Sequence, residues 1–133
     1  MSTHESHTDD IAQAREEYLA KHPFDPHGNA FIGFDSDGLP AGFLTFPNTD
    51  DLQVLAAKFG IEFIAVAHND DEAVEWLANI IKVTENAEVA GIMLAYVLRC
   101  IAPIIGQVVK ECPGLEAKMR KNSVDCWKKE CQL

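Results

Sequence analysis

The longest apolar stretch of the chain, residues 90–109, limits its fold more than any other feature. It reads AGIMLAYVLRCIAPIIGQVV, which is long enough to cross a bilayer, but Arg99 lies at its centre. On the insertion scale this arginine costs about 2.5–3.5 kcal/mol, while the nine Ile, Leu and Val residues return about 3–5 kcal/mol. Because these terms nearly cancel, we expect a central core helix beginning near residue 85, kinked or divided at Pro103, and no membrane span.

Small residues recur along this helix at spacings of four, seven and four. They are Gly91, Ala95, Ala102 and Gly106. A helix that is apolar all round is hard to cover in a chain of 133 residues. We therefore predict a homo-oligomer, in its simplest form a homodimer, with this stripe as the contact; packing on the preceding helix or on the sheet is the alternative.

Turn and capping residues divide the rest of the chain into short elements. A polar tail, residues 1–8, leads into a helix over 9–21 that Thr8 would cap. Further elements are hairpin strands over 30–34 and 41–46, a helix over 49–59, a strand over 61–67, and helices over 70–82 and 114–130. The order α-β-β-α-β-α-α-α predicts one α+β domain over 1–133, with a small three-stranded sheet packed against four to five helices.

The segment 61–67 supplies the predicted centre of that sheet. Gly60 directly follows the predicted helix over 49–59, at the position where a left-handed glycine commonly ends a helix. Ile61 is the apolar residue expected after such a glycine. The sequence IEFIAVA is apolar at nearly every position, which is typical of a strand buried on both faces. The sheet would then consist of the hairpin and this buried strand.

The chain is acidic, with a formal net charge of −10. Residues 1–75 hold 15 acidic and three basic residues, whereas residues 76–133 hold six acidic and eight basic residues. Such an acidic half repels nucleic-acid phosphates and anionic membrane surfaces, so we expect neither as a partner. It attracts a basic protein surface and speeds encounter with it, although acidity also serves solubility alone.

Acidic residues gather at two predicted helix starts and form the candidate partner-binding site. They are Asp50, Asp51, Asp70, Asp71, Glu72 and Glu75. If both helix starts flank one edge of the sheet, their carboxylates form one patch that docks a basic protein surface. By analogy of charge and size with immunity proteins and phage-encoded antagonists, we predict a small cytosolic regulator or inhibitor. A solvated face that only complements the helix dipoles is the alternative.

His68 is the weak candidate for a catalytic residue. It would follow the buried strand and precede a helix, where α/β enzymes place reactive groups, and Asp70 could orient it as a general base. A pocket near His68, lined by hairpin aromatics such as Phe31 and Phe43, defines a second hypothesis, a small-ligand protein or enzyme. Ordinary capping of the helix explains the same residues without chemistry.

Motifs for cofactors, metals and nucleophiles do not occur. The chain contains no phosphate-binding loop, no dinucleotide fingerprint and no nucleophile elbow, so we expect no cofactor and favour binding over catalysis. Residues 35–38 resemble part of a calcium loop, but Leu39 and Pro40 occupy positions that calcium binding needs. The four cysteines and the pairs His4–His7 and His22–His27 lack compact zinc spacing, so we predict no metal site and free thiols in the cytoplasm.

Overall fold

The computed structural model describes residues 3–129, with side chains from Asp10 onward. The elements are α1 (Thr3–Lys21), β1 (Asn29–Phe34), β2 (Pro40–Phe46), α2 (Thr49–Val66), α3 (Asp70–Thr84), α4 (Ala87–Glu111) and α5 (Leu115–Lys128). The broad α+β class is confirmed. The sheet of the described residues has two strands, not three, and the element order is α-β-β-α-α-α-α.

The predicted strand over 61–67 is wrong, because this segment is the second half of α2. Gly60 does not end the helix; it is buried within it, against α4. The segment is also not buried on both faces, since Ile61 is 60% and Ile64 41% exposed. Val66 is buried in the core and Phe63, three residues earlier on the same helix face, packs against it, as the 3.6-residue repeat of the helix requires.

The hydrophobic core lies between α2, α3 and α4. The buried apolar side chains are Leu52, Leu55, Ala56, Phe59, Val66, Trp76, Ile80, Val89, Ala90, Met93, Val97 and Ile101. Trp76 of α3 links this helix to α2, because its Nε1 donates a hydrogen bond of 2.9 Å to the carbonyl of Phe59. The three helices therefore form the packed body to which the other elements attach.

Helix α4 continues through Pro103 and is not divided there. Its apolar face is buried only in its first part, from Val89 to Ile101; beyond it, Ile105 is 49% and Val108 53% exposed. By length and composition α4 is the one helix in the described part of the chain that could cross a membrane, and core helices of soluble proteins pass the same test. Helix α4 is thus buried on one face along its first part and is not covered all round.

Asparagine side chains cap three of the helices. Asn48 accepts hydrogen bonds from the amides of Asp50 and Asp51, and Asn69 accepts one from the amide of Glu72. Asn86 caps α4, and Thr84, at the end of α3, is buried and donates to the carbonyl of Ile80 over 2.7 Å. Helix α1 begins at Thr3, so residues 3–8 of the predicted tail are helical and Thr8 is not its cap.

The first and last helices attach more loosely than the three core helices. Ile11 and Tyr18 of α1 are only partly buried against the core. Helix α5 has no buried residue and contacts α4. The prediction that residues 1–133 form one domain stays a prediction.

Candidate functional site

The acidic residues at the starts of α2 and α3 are placed in two separate clusters. Asp50 and Asp51 are exposed in the first turn of α2, close to the hairpin in sequence. Asp70 and Asp71 are exposed in the first turn of α3, while Glu72 is partly buried and Glu75 is exposed one turn later. Both clusters thus lie where helix capping alone would place them.

The structure does not bring these two clusters together. Helix α2 has 18 residues and separates the two helix starts by its full length, about 27 Å. The predicted common patch depended on a strand over 61–67, and that strand is helix. Only the cluster of Asp50 and Asp51 adjoins the hairpin.

His68 lies in the turn between α2 and α3 and is exposed. The buried strand that would have presented it does not exist, and the hairpin aromatics join the chain at the other end of α2. A pocket shared by His68 and the hairpin aromatics is therefore not formed.

The small-residue stripe of α4 lies on the exposed side of that helix. Gly91, Ala95, Ala102 and Gly106 are all exposed. A Cβ added at Gly91 or at Gly106 would meet no atom within 4 Å. Packing of the stripe on the preceding helix or on the sheet is thus excluded within the described residues, and the homo-oligomer contact stays a prediction.

The feature that sequence reasoning missed is the solvent exposure of the hairpin. Both strands carry large apolar side chains that contact water, with Phe31 55%, Phe34 66% and Phe43 78% exposed. Ile32, Leu39 and Leu44 are also more than half exposed. The two β-prone runs and the turn residues between them predict the hairpin itself, but they do not tell whether a third element covers it.

Apolar side chains occupy both faces of the hairpin. Residues directly opposite each other share a face, so Phe31 and Leu44 lie on one face and Ile32 and Phe43 on the other. Phe34, opposite Pro40, extends the second face beyond the irregularity that follows Gly33. A two-stranded hairpin is only marginally stable alone, and no other described element covers either face of this one.

Only the base of the hairpin is anchored to the helical body. Phe46 packs against the core, and Pro47 is fully buried. The ring Nδ1 of His27 is hydrogen-bonded to the hydroxyl of Thr45 over 2.6 Å. At the tip, the Asp35 carboxylate accepts hydrogen bonds from the amides of Asp37 and Leu39. These bonds confirm that the segment resembling part of a calcium loop is a hairpin turn.

The Asp, Glu, Lys and Arg residues of the segment that contains the hairpin have one sign of charge. Residues 22–57 contain five acidic residues and neither lysine nor arginine. These acids are Asp25, Asp35, Asp37, Asp50 and Asp51. By contrast α5 and Lys129 carry five of the eleven basic residues of the chain. The hairpin is thus an apolar surface with an acidic border.

Reactive side chains form no recognisable centre in the described residues. No group of three or more His, Cys, Asp or Glu there is arranged to hold a metal ion. Cys100 and Cys112 are exposed and form no disulfide. His4, His7 and Cys131 lie outside the residues whose side chains are described.

Comparison with protein families, with characterised proteins and with solved structures finds no match for this chain. The function is therefore argued from its surfaces alone.

Proposed function

We propose that this protein acts by binding another protein, as a small acidic regulator or inhibitor. The hairpin is the docking element, and its partner presents an apolar surface bordered by lysine and arginine. The observation that carries the proposal is the exposure of six large apolar side chains on a hairpin that no other described element covers. Soluble monomers rarely expose contiguous apolar surface of this kind without a partner.

Burial of the hairpin side chains contributes part of the free energy that a specific complex needs. Full burial of one Phe, Leu or Ile side chain contributes about 1.5–3 kcal/mol. Scaled by their exposed fractions, the six hairpin side chains contribute roughly 6–11 kcal/mol before the cost of association is subtracted. That cost is about 4–15 kcal/mol, so further contacts must contribute.

Two further contacts are available at the hairpin. Each strand of a two-stranded sheet has one unpaired edge, where a partner strand can add through backbone hydrogen bonds. The acidic border, with Asp50 and Asp51 at the base, favours a basic partner and speeds its encounter. It also opposes pairing of two hairpins from two copies, because like charges would meet.

The test compares proteins retained by immobilised full-length chain and by two matched variants. Leu44→Ser removes an apolar side chain that is 68% exposed on the hairpin, and Val74→Ser removes one that is 70% exposed on α3. We expect a basic partner to be lost with Leu44→Ser and kept with Val74→Ser. The purified partner should then bind the chain at least tenfold more weakly after Asp50→Lys with Asp51→Lys, and more weakly in high salt. Equal retention by both serine variants would refute the proposal.

Homo-oligomer formation through α4 is the competing proposal. Light scattering of the purified chain in reducing buffer measures its mass directly. A dimer that Ala95→Leu abolishes and Leu44→Ser leaves intact would favour assembly through the small-residue stripe. No observation of this structure favours a small-ligand or enzymatic role near His68. For the proposed regulator we propose a cytoplasmic location.

A further inference from the structure

A cleft of about 390 Å³ lies between α1 and α2, away from the hairpin. Its volume falls in the range of small-molecule sites. The apolar walls are formed by Ile11, Ala14 and Tyr18 of α1 and by Leu55, Phe59, Ile61 and Ala65 of α2. Neither His68 nor a hairpin residue lines it, so the cleft is independent of the surface proposed above.

Two polar contacts link the two walls, in addition to the apolar packing of Ile11 and Tyr18 against the core. Arg15 Nη1 donates to Glu62 Oε1 over 2.7 Å, and both side chains are more than four-fifths buried. Nearer the end of α1, the Lys58 ammonium lies 4.5 Å from the centre of the Tyr18 ring. Both contacts join α1 to α2 at the cleft, whose lining includes the exposed residues Ala14, Ile61 and Ala65 and the buried residues Leu55 and Phe59.

The charges of the cleft favour an anionic group on the ligand. Arg15, Lys58 and Glu62 are its charged lining residues, which gives the lining a formal charge of +1 in a chain of −10. The Glu62 carboxylate is already matched by Arg15, so it does not offer a charge to a cationic ligand. The Lys58 ammonium contacts an aromatic ring and is exposed, so it can also receive an anion.

We propose that this cleft binds one molecule of an anionic amphiphile, with its alkyl chain between α1 and α2 and its carboxylate at the Lys58 ammonium. The apolar walls desolvate the chain, and the charge of Lys58 selects the sign of the head group. The ligand is a single molecule that binds from solution. An anionic membrane surface is not the source, because the acidic residues of the first half of the chain would repel it.

The experiment titrates monomeric dodecanoate into the full-length protein by calorimetry, under reducing conditions. We expect saturable binding of one molecule, and at least tenfold weaker binding of dodecyltrimethylammonium, which has the same chain and the opposite charge. Lys58→Met should weaken dodecanoate at least fivefold. Lys82→Met removes an exposed lysine of α3 and should have no effect.

Two steric variants test the position of the alkyl chain. Ala14→Phe fills the cleft from α1, whereas Ala20→Phe adds the same ring to an exposed site that does not line the cleft. We expect Ala14→Phe to abolish binding and Ala20→Phe to preserve it. Ala65→Phe fills the cleft from α2 and repeats the test if circular dichroism shows that Ala14→Phe perturbs α1.

The inference is overturned by no saturable binding of dodecanoate, by equal binding of the two head groups, or by equal binding by Ala14→Phe and Ala20→Phe. Leu44→Ser separates this inference from the proposed function. The variant should bind dodecanoate like the wild type, because residue 44 lies on the hairpin. Loss of dodecanoate binding in Leu44→Ser would place the ligand on the hairpin and refute the assignment to the cleft.

Discussion

Gly60 of α2 lies directly against Ile101 of α4, so that a Cβ added to Gly60 would come within 2.7 Å of Ile101 Cγ2. Real Cβ atoms do not approach other atoms so closely, and therefore only glycine permits this crossing of α2 and α4. The glycine is present because of a neighbouring helix, not because the helix ends there.

Gly60→Ala should destabilise the protein although alanine favours helix. The helix gain of about 1 kcal/mol is exceeded by overpacking against Ile101, which costs about 1–3 kcal/mol. Urea unfolding measures the difference. Gly91→Ala, where the new Cβ meets nothing within 4 Å, should instead stabilise by about 0.5–1 kcal/mol. A gain of the same size in both variants would contradict the close contact.

Trp76→Phe should lower the free energy of unfolding by about 1–2 kcal/mol, since the substitution removes a buried hydrogen bond to the Phe59 carbonyl. Trp127 is 89% exposed and provides the control, because Trp127→Phe should change stability by less than about 0.5 kcal/mol. The two variants also separate the fluorescence of the two tryptophans. In Trp127→Phe the remaining emission should be that of a buried indole, and emission at the wavelength of free tryptophan would contradict the structure.

Arg15→Ala should release α1 from α2, because it leaves the Glu62 carboxylate largely buried without its partner. We expect a loss of about 1–3 kcal/mol, below the range for a fully buried pair, together with faster proteolysis within α1. Arg120→Ala is the control, since Arg120 and Glu116 form an exposed pair on α5 that contributes less than about 1 kcal/mol. Equal effects of the two substitutions on the unfolding midpoint would argue against a buried link between α1 and α2.

Pro103→Ala should stabilise α4. Proline inside a helix leaves the carbonyl of residue 99 without its helical donor and costs about 3 kcal/mol relative to alanine, of which we expect about 1–3 kcal/mol to be recovered. Pro113 lies in the turn before α5, so Pro113→Ala should give no gain. Thermal unfolding followed by circular dichroism distinguishes the two, and a loss of stability in Pro103→Ala would show that the proline is needed for packing.

Elements whose signals are local could be predicted from the sequence. Asn48 and Asn69 begin α2 and α3 through their own side-chain hydrogen bonds to nearby amides, and the turn at Asp35 closes the hairpin in the same way. These interactions join residues within four positions of one another, so no knowledge of the rest of the fold is needed. The two acidic clusters could likewise be assigned to helix starts, but not to a common patch.

Tertiary contacts decided the rest. Residues 61–67 have a pattern that suits a buried strand, yet Gly60 packs on Ile101 and Glu62 pairs with Arg15, 47 positions away, only if α2 continues as a helix. The exposure of the hairpin and the cleft between α1 and α2 depend in the same way on which elements lie next to each other. The sequence alone determined where helices start and where the chain turns, because those energies are local. Which faces are covered was decided by the tertiary structure, because burial depends on contacts between residues distant in the chain.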